Sequence, residues 1–205
     1  LLLAGLPYEV PGVTVNRLCG SGLEAVQYAA RAIALGDHDV VLAGGGENMT
    51  RAPFVMAKPD EAFTRAAPAL YDTSLGWRFP NPRMAERFAL DSMGETAENV
   101  AVEHAISREA QDAFALASHQ RAARAWDTHG FAGEVVPVEV PQRKGPAVVV
   151  ARDESVRGDT TLAALAKLAP VFRKGGTVTA GNSAPLNDGA AAVLLVSERV
   201  VARLG

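Results

Sequence analysis

The sequence predicts an α/β fold, a core of strands and helices interrupted by a long α+β insertion. Three observations carry this. Between residues 13 and 48 a strand pattern, a helix pattern and a second strand pattern succeed one another, the order of a βαβ unit. The same texture returns at the end, where an apolar run over 190–196 leads into the helical "SERVVARL". Between these segments the chain turns irregular and rich in Pro and aromatic residues, too long a stretch to be a simple connection. With 205 residues and 48% hydrophobic content, the chain has enough apolar surface for one large or two modest domains.

Each element has its own justification. The chain opens Leu1-Leu2-Leu3-Ala4-Gly5 without Met, reads as the tail of an apolar element already under way, and is expected to be an excised piece. "VTVNRL" (13–18) alternates apolar and polar, as a strand does. From Leu23 to Leu35, apolar residues at 23, 26, 30, 33 and 34 follow helical spacing with Ala in the gaps, which predicts a central helix apolar nearly all round. Gly36-Asp37 ends it, and "DVVLAGGGENM" (39–49) is a strand running into a glycine turn. Residues 50–92 hold Phe54, Phe63, Tyr71, Trp77, Phe79 and Phe88 without a clear period. Helices are predicted over 93–105 and 108–126, the second with Ser107 as N-cap and Glu109 in the first turn. "EVVPVEV" (134–140) and "AVVVARD" (147–153) read as a strand pair around a basic turn, and "TVTAG" as a short strand. The expected division is 1–48 core, 49–186 insertion, and 187–205 the return to the core.

Composition removes several function classes. A formal net charge of -3 with 21% charged residues lacks the basic excess of a nucleic-acid binder. The single Cys excludes an internal disulfide and a Cys-cluster metal site, and His38, His104, His119 and His129 lack ligand spacing, so no metal is expected. No apolar run approaches the roughly 18 residues that span a bilayer, and no signal peptide is legible, so a cytoplasmic protein without a membrane partner is expected.

Cys19, in "VNRLCGSGLEAV", falls at a strand-to-helix junction. Free N–H groups and the helix dipole there favour an anion, and a helix N-terminus can make a thiolate available. Gly20 and Gly22 leave room for a thioester. Spacing alone leaves two readings open, a nucleophile or a small buried hydrophobe. "AGGGENM" (43–49) lacks phosphate-loop spacing and reads as a packing turn. "AGNSAPLNDGA" (180–190) is either a cleft lining or a structural corner. The basic residues Arg143, Lys144, Arg152, Arg157, Lys167, Arg173 and Lys174 suit a solvated face or the counter-charges of a phosphorylated small molecule. Met93 and Phe114 read as helix core.

Five stretches, "VNRLCGSGLEAV", "VVLAGGGENMTRAP", "DSMGETAENVA", "RDESVRGDTTLAALAKL" and "TVTAGNSAPLNDGAAAVLLVS", in this order, together resemble the thiolase family of acetyl-CoA acyltransferases. "YDTSLGWRFPNP", "QRKGPAVVV" and "VRGDTTL" look most like its degradative 3-oxoadipyl-CoA branch. The resemblance implies a layered α/β/α core, here a partial N-terminal domain, with an inserted loop domain that holds CoA. It implies that Cys19 is the acyl-carrying nucleophile, with its backbone N–H as an oxyanion donor. It further implies CoA contacts at Arg157, Phe172, Ala180, Ser183 and Ala184, and an acyl-pocket wall at Met84 and Met93. CoA is then a co-substrate with no permanently bound cofactor, acyl-CoA esters are the substrates, and the full-length protein is a homodimer or homotetramer.

Three departures bear on this. The chain reads Ser183-Ala184 where many relatives carry Ala-Ser, which displaces the hydroxyl meeting pantetheine by one residue. Ser92 stands where biosynthetic relatives often have His. The family's Asn-Glu-Ala-Phe, Gly-His-Pro and Cys-x-Gly motifs, which supply the activating His and the acid/base Cys, do not occur, so the chain alone is expected to be nearly inactive. A ketosynthase-type condensing enzyme and a non-catalytic nucleotide-binding α/β module are the alternatives.

Overall fold

The computed structural model describes residues 1–204. In chain order, α1 spans Ser21–Ala34, β1 Val40–Glu47, β2 Phe54–Met56, β3 Leu70–Asp72, α2 Pro82–Ala85, α3 Met93–Glu103 and α4 Arg108–Asp127. They are followed by β4 at Val138–Val140, β5 at Val148–Val150, α5 at Leu162–Leu165, β6 at Gly189–Val196 and α6 at Glu198–Leu204. The chain divides into two compact units, Leu1–Ala52 joined by the chain from Leu186 onward, and Pro53–Pro185.

In the first unit, β1 and β6 pair antiparallel from Val40↔Val196 to Glu47↔Gly189. Helix α1 packs against both strands. Because side chains alternate between sheet faces, Ala43 is buried and the cross-strand pair Val41 and Leu195 is half-buried, while Val40, Leu42, Leu194 and Val196 are exposed on the opposite face. Two side-chain clamps fasten the ends of this ladder. Asp39, just before β1, accepts from the Ser197 hydroxyl (2.7 Å) and from the Arg199 guanidinium at the start of α6. At the other end, Thr50 donates its N–H (2.9 Å) and hydroxyl (2.7 Å) to the Asp188 carboxylate. The Thr50 backbone N–H first, and then its hydroxyl, hold the Asp188 carboxyl below the usual carboxylate range.

Two expectations need correction here. "VTVNRL" joins no ladder: its alternation favours an extended chain, but a strand also needs a neighbouring strand, and among the described residues it makes only the isolated bridge Arg17↔Cys19 and local turn bonds at Arg17 and Leu18. The anticipated βαβ unit is therefore an α1–β1 pair closed by the antiparallel β6. Helix α1 is also not enclosed, since only Ala29 and Ala32 are buried while Leu23, Tyr28 and Leu35 are exposed.

In the second unit, β2 pairs β3 and β4 pairs β5, both antiparallel. Strand β4 begins only after Pro137, whose missing N–H cannot join a ladder. "TVTAG" contributes just the isolated bridge Pro170↔Thr179. Helices α3 and α4 start as their caps dictate: the Ser92 hydroxyl accepts from Glu95 N–H (3.3 Å) and that of Ser107 from Ala110 N–H (3.2 Å). Met93 and Phe114, read as core, are 77% and 75% exposed, because α3 and α4 turn other faces inward. Among the described residues no helix is long and apolar enough to cross a membrane.

Candidate active site

Cys19 is a free, exposed thiol immediately before Gly20, the N-cap of α1. This settles its environment against the buried-hydrophobe reading. No side chain caps α1; Ser21 N–H donates to Leu18 C=O (3.0 Å) and Glu24 N–H to Gly20 C=O (2.9 Å), so the Gly22 and Leu23 N–H groups are those of the first turn open to a charge or to a substrate oxygen. The turn that presents the sulfur is built locally. Leu18, the residue before it, takes a left-handed backbone with φ 50°, which for a non-glycine residue stores about 1–3 kcal/mol of strain. Its neighbours hold it there: Leu18 N–H donates to Asn16 Oδ1 (2.9 Å) and Leu18 C=O accepts from the Ser21 hydroxyl (2.7 Å). Ser21 Oγ also accepts from Arg17 N–H (2.8 Å). Glu24, in the first turn of α1, is paired with both Arg17 (2.9 Å) and Arg31 (3.5 Å), which offsets the one negative charge that would oppose an anion at this helix start.

The remaining sequence-predicted residues lie in the second unit. Phe172 sits against α3 at Gly94, where a Cβ would run into its ring, so this glycine permits a contact that no other residue would. That places Phe172 beside the segment bearing Met93. Ala180, Ser183 and Ala184 share one turn, in which the Ser183 hydroxyl donates to Thr179 C=O (2.7 Å). Met84 is half-buried on α2. Arg157 is exposed, and its backbone N–H donates to His119 Nδ1 on α4 (3.2 Å).

Sequence reading missed what shapes the 177–184 turn. Glu98 of α3 is 2% exposed, and its carboxylate accepts from Thr177 N–H (2.8 Å), Val178 N–H (2.8 Å) and the Thr177 hydroxyl (3.1 Å). A Cβ on Gly176 would collide with that carboxylate, so the chain can wrap it only with glycine there. Burial pushes the Glu98 carboxyl up. The donors from Val178 and Thr177, with the Arg173 charge, outweigh burial and hold it below the ordinary range. Arg173 is itself anchored to Glu95 and Asn99.

Asp112 of α4, 3% exposed, completes the arrangement. It pairs with Arg108 Nε (2.8 Å) and accepts from Asn182 Nδ2 (3.1 Å). Asn182 in turn accepts from Thr179 N–H (2.7 Å), and Arg108 also donates to the Leu165 carbonyl at the end of α5 and to the Leu168 carbonyl beyond it. Two buried carboxylates, from two helices, thus hold one turn.

An exposed thiol at a helix start without a side-chain cap is a group chemically able to carry an acyl chain. The Thiolase, N-terminal domain family matches residues 1–199, and the chain belongs to that family. It is 53% identical over 204 residues to a beta-ketoadipyl-CoA thiolase of Escherichia coli, covering 100% of this chain and 51% of that protein. It is 54% identical over 205 residues to a beta-ketoadipyl-CoA thiolase of Pseudomonas aeruginosa, with the same coverage. Among solved structures, human mitochondrial 3-ketoacyl-CoA thiolase in complex with CoA matches with TM-score 0.80 and 38% identity over 98% of this chain and 49% of that one. The thiolase-like α/β fold is therefore shown, and the chain spans about half the length of the relatives it matches.

Proposed function

We propose that this chain supplies the nucleophile and the CoA-holding region of a thiolase that cleaves a 3-oxoacyl-CoA with CoA, giving acetyl-CoA and a shortened acyl-CoA, or runs the reverse condensation. The exposure of Cys19 at the open start of α1 carries this reading. The names of the relatives support 3-oxoadipyl-CoA, a compound of aromatic breakdown, as the substrate.

The Cys19 thiolate attacks the 3-keto carbon, forming a C–S bond and an oxyanion. The oxyanion collapses, the C2–C3 bond breaks, and acetyl-CoA leaves as its enolate, which takes up a proton. Free CoA, as thiolate, then attacks the acyl-Cys19 thioester, and the acyl group leaves on CoA with Cys19 restored. Both tetrahedral intermediates need fixed donors, for which the Cys19 N–H is one candidate. The proton transfers belong to His and Cys motifs that this sequence does not contain. CoA is a co-substrate in this scheme and no group is permanently bound. Arg157 is assigned to its nucleotide, Phe172, Ala180, Ser183 and Ala184 to its adenine and pantetheine, and Met84 and Met93 to the acyl pocket. The full-length protein is read as a cytoplasmic homodimer or homotetramer.

Mass spectrometry of the full-length protein after brief exposure to an acyl-CoA tests this. An acyl mass on Cys19 is expected, with negligible turnover by the separate 205-residue chain. An unmodified Cys19 overturns the reading, and acylation only by acyl carrier protein points to a ketosynthase-type enzyme instead.

A further inference from the structure

We infer that Glu98, through its buried carboxylate, is a positioning residue for CoA: it fixes the 177–184 turn that presents Ala180 and Ser183, without touching the ligand itself. This rests on the function proposed above. The carboxylate is 2% exposed and engages two consecutive backbone N–H groups and one hydroxyl of a segment 79 and 80 residues further on. Such a carboxylate organises backbone more firmly than a neutral side chain, because charge-assisted hydrogen bonds are about twice as strong as neutral ones. The chain is shaped to receive it, since Gly176 is the residue whose Cβ would occupy the carboxylate's place. The far end of the turn is fixed separately by Asp112 through Asn182, so Thr177–Asn182 is held at both ends. With both ends held, the intervening Ala180 has one arrangement to offer, and Ser183, which follows Asn182, is tied back to the same segment by its hydroxyl's bond to Thr179 C=O.

The test is Glu98→Gln in the full-length protein, compared with wild type. The amide side chain keeps the size but sets N–H against N–H at Thr177 or Val178. KM for CoA is expected to rise about tenfold, and with it the acyl-CoA concentration that gives half-maximal acylation, while the acylation rate of Cys19 at saturating acyl-CoA changes less than about threefold, a split that general loss of fold does not produce. Backbone amides of 177–184 are expected to exchange hydrogen faster, and those of α1 unchanged. Should Glu98→Gln fail to fold, Thr177→Val, which removes the hydroxyl that donates to Glu98 and accepts from Gln111 Nε2 while keeping both backbone N–H donors, is expected to raise KM for CoA about threefold. An acylated wild type whose folded variants keep KM for CoA and exchange at 177–184 unchanged overturns the inference alone. A wild type that is never acylated overturns the proposed function with it.

Discussion

Leu42 and Leu194 of the first unit are 54% and 64% exposed, while Glu98 and Asp112 of the second are 2% and 3% exposed. In these four residues the usual distribution is reversed, and they belong to two ways of shaping a local structure. In the first unit the Cys19 thiol is set by a short turn over residues 16–24, held by Asn16, Ser21 and the Arg17–Glu24 pair. In the second, long-range bonds from buried charges shape a loop that has no regular secondary structure of its own.

Four experiments break or sharpen this contrast. The largest effect is expected from Cys19→Ala, which should abolish the acyl adduct and lower thiolysis in the full-length protein at least about 10⁴-fold while leaving the melting temperature nearly unchanged. Asp112→Ala comes next: it strands the Arg108 guanidinium, and loss of one partner of a buried pair costs about 3–5 kcal/mol, readable as a lower urea midpoint for the second unit.

Acid should weaken the second unit through Glu98. Because the folded-state carboxyl of Glu98 lies below its ordinary value, its contribution to stability is present above the ordinary Glu range and is lost as pH falls through that lowered value. Denaturation followed from pH 7 to 3 should therefore show a steeper loss in wild type than in Glu98→Gln, and equal slopes would contradict the assignment. The smallest effect is expected from Ser21→Ala, which removes the hydroxyl bonds to Leu18 and Arg17 at a cost of about 1 kcal/mol, with Cys19 acylated several-fold more slowly. Stopped-flow acylation would measure it, and an unchanged rate would show that the turn does not depend on this hydroxyl.

Much of the fold was legible because its signals are local. Ser92 and Ser107 announce the starts of α3 and α4, and the apolar runs before Glu47 and after Asp188 announce β1 and β6. The alternation in "VTVNRL" was equally clear and misled, since pairing depends on a neighbour that the pattern does not reveal. Cys19 stood out through its glycine-flanked helix start. Glu98 and Asp112 did not, because a carboxylate on a helix ordinarily faces solvent and the Arg108–Asp112 spacing is that of a surface pair. Their partners lie some 70 or more residues away, beyond any periodicity. The glycines at 94 and 176 were the available hint, intelligible only once Phe172 and Glu98 are seen lying against them.

The Thr50–Asp188 clamp has an evolutionary consequence. It stitches together the two points at which the polypeptide departs from and rejoins the β1–β6 ladder, so that ladder keeps its own closure whatever is threaded between. Changes of length within residues 53–185 can thus leave the ladder's own closure in place.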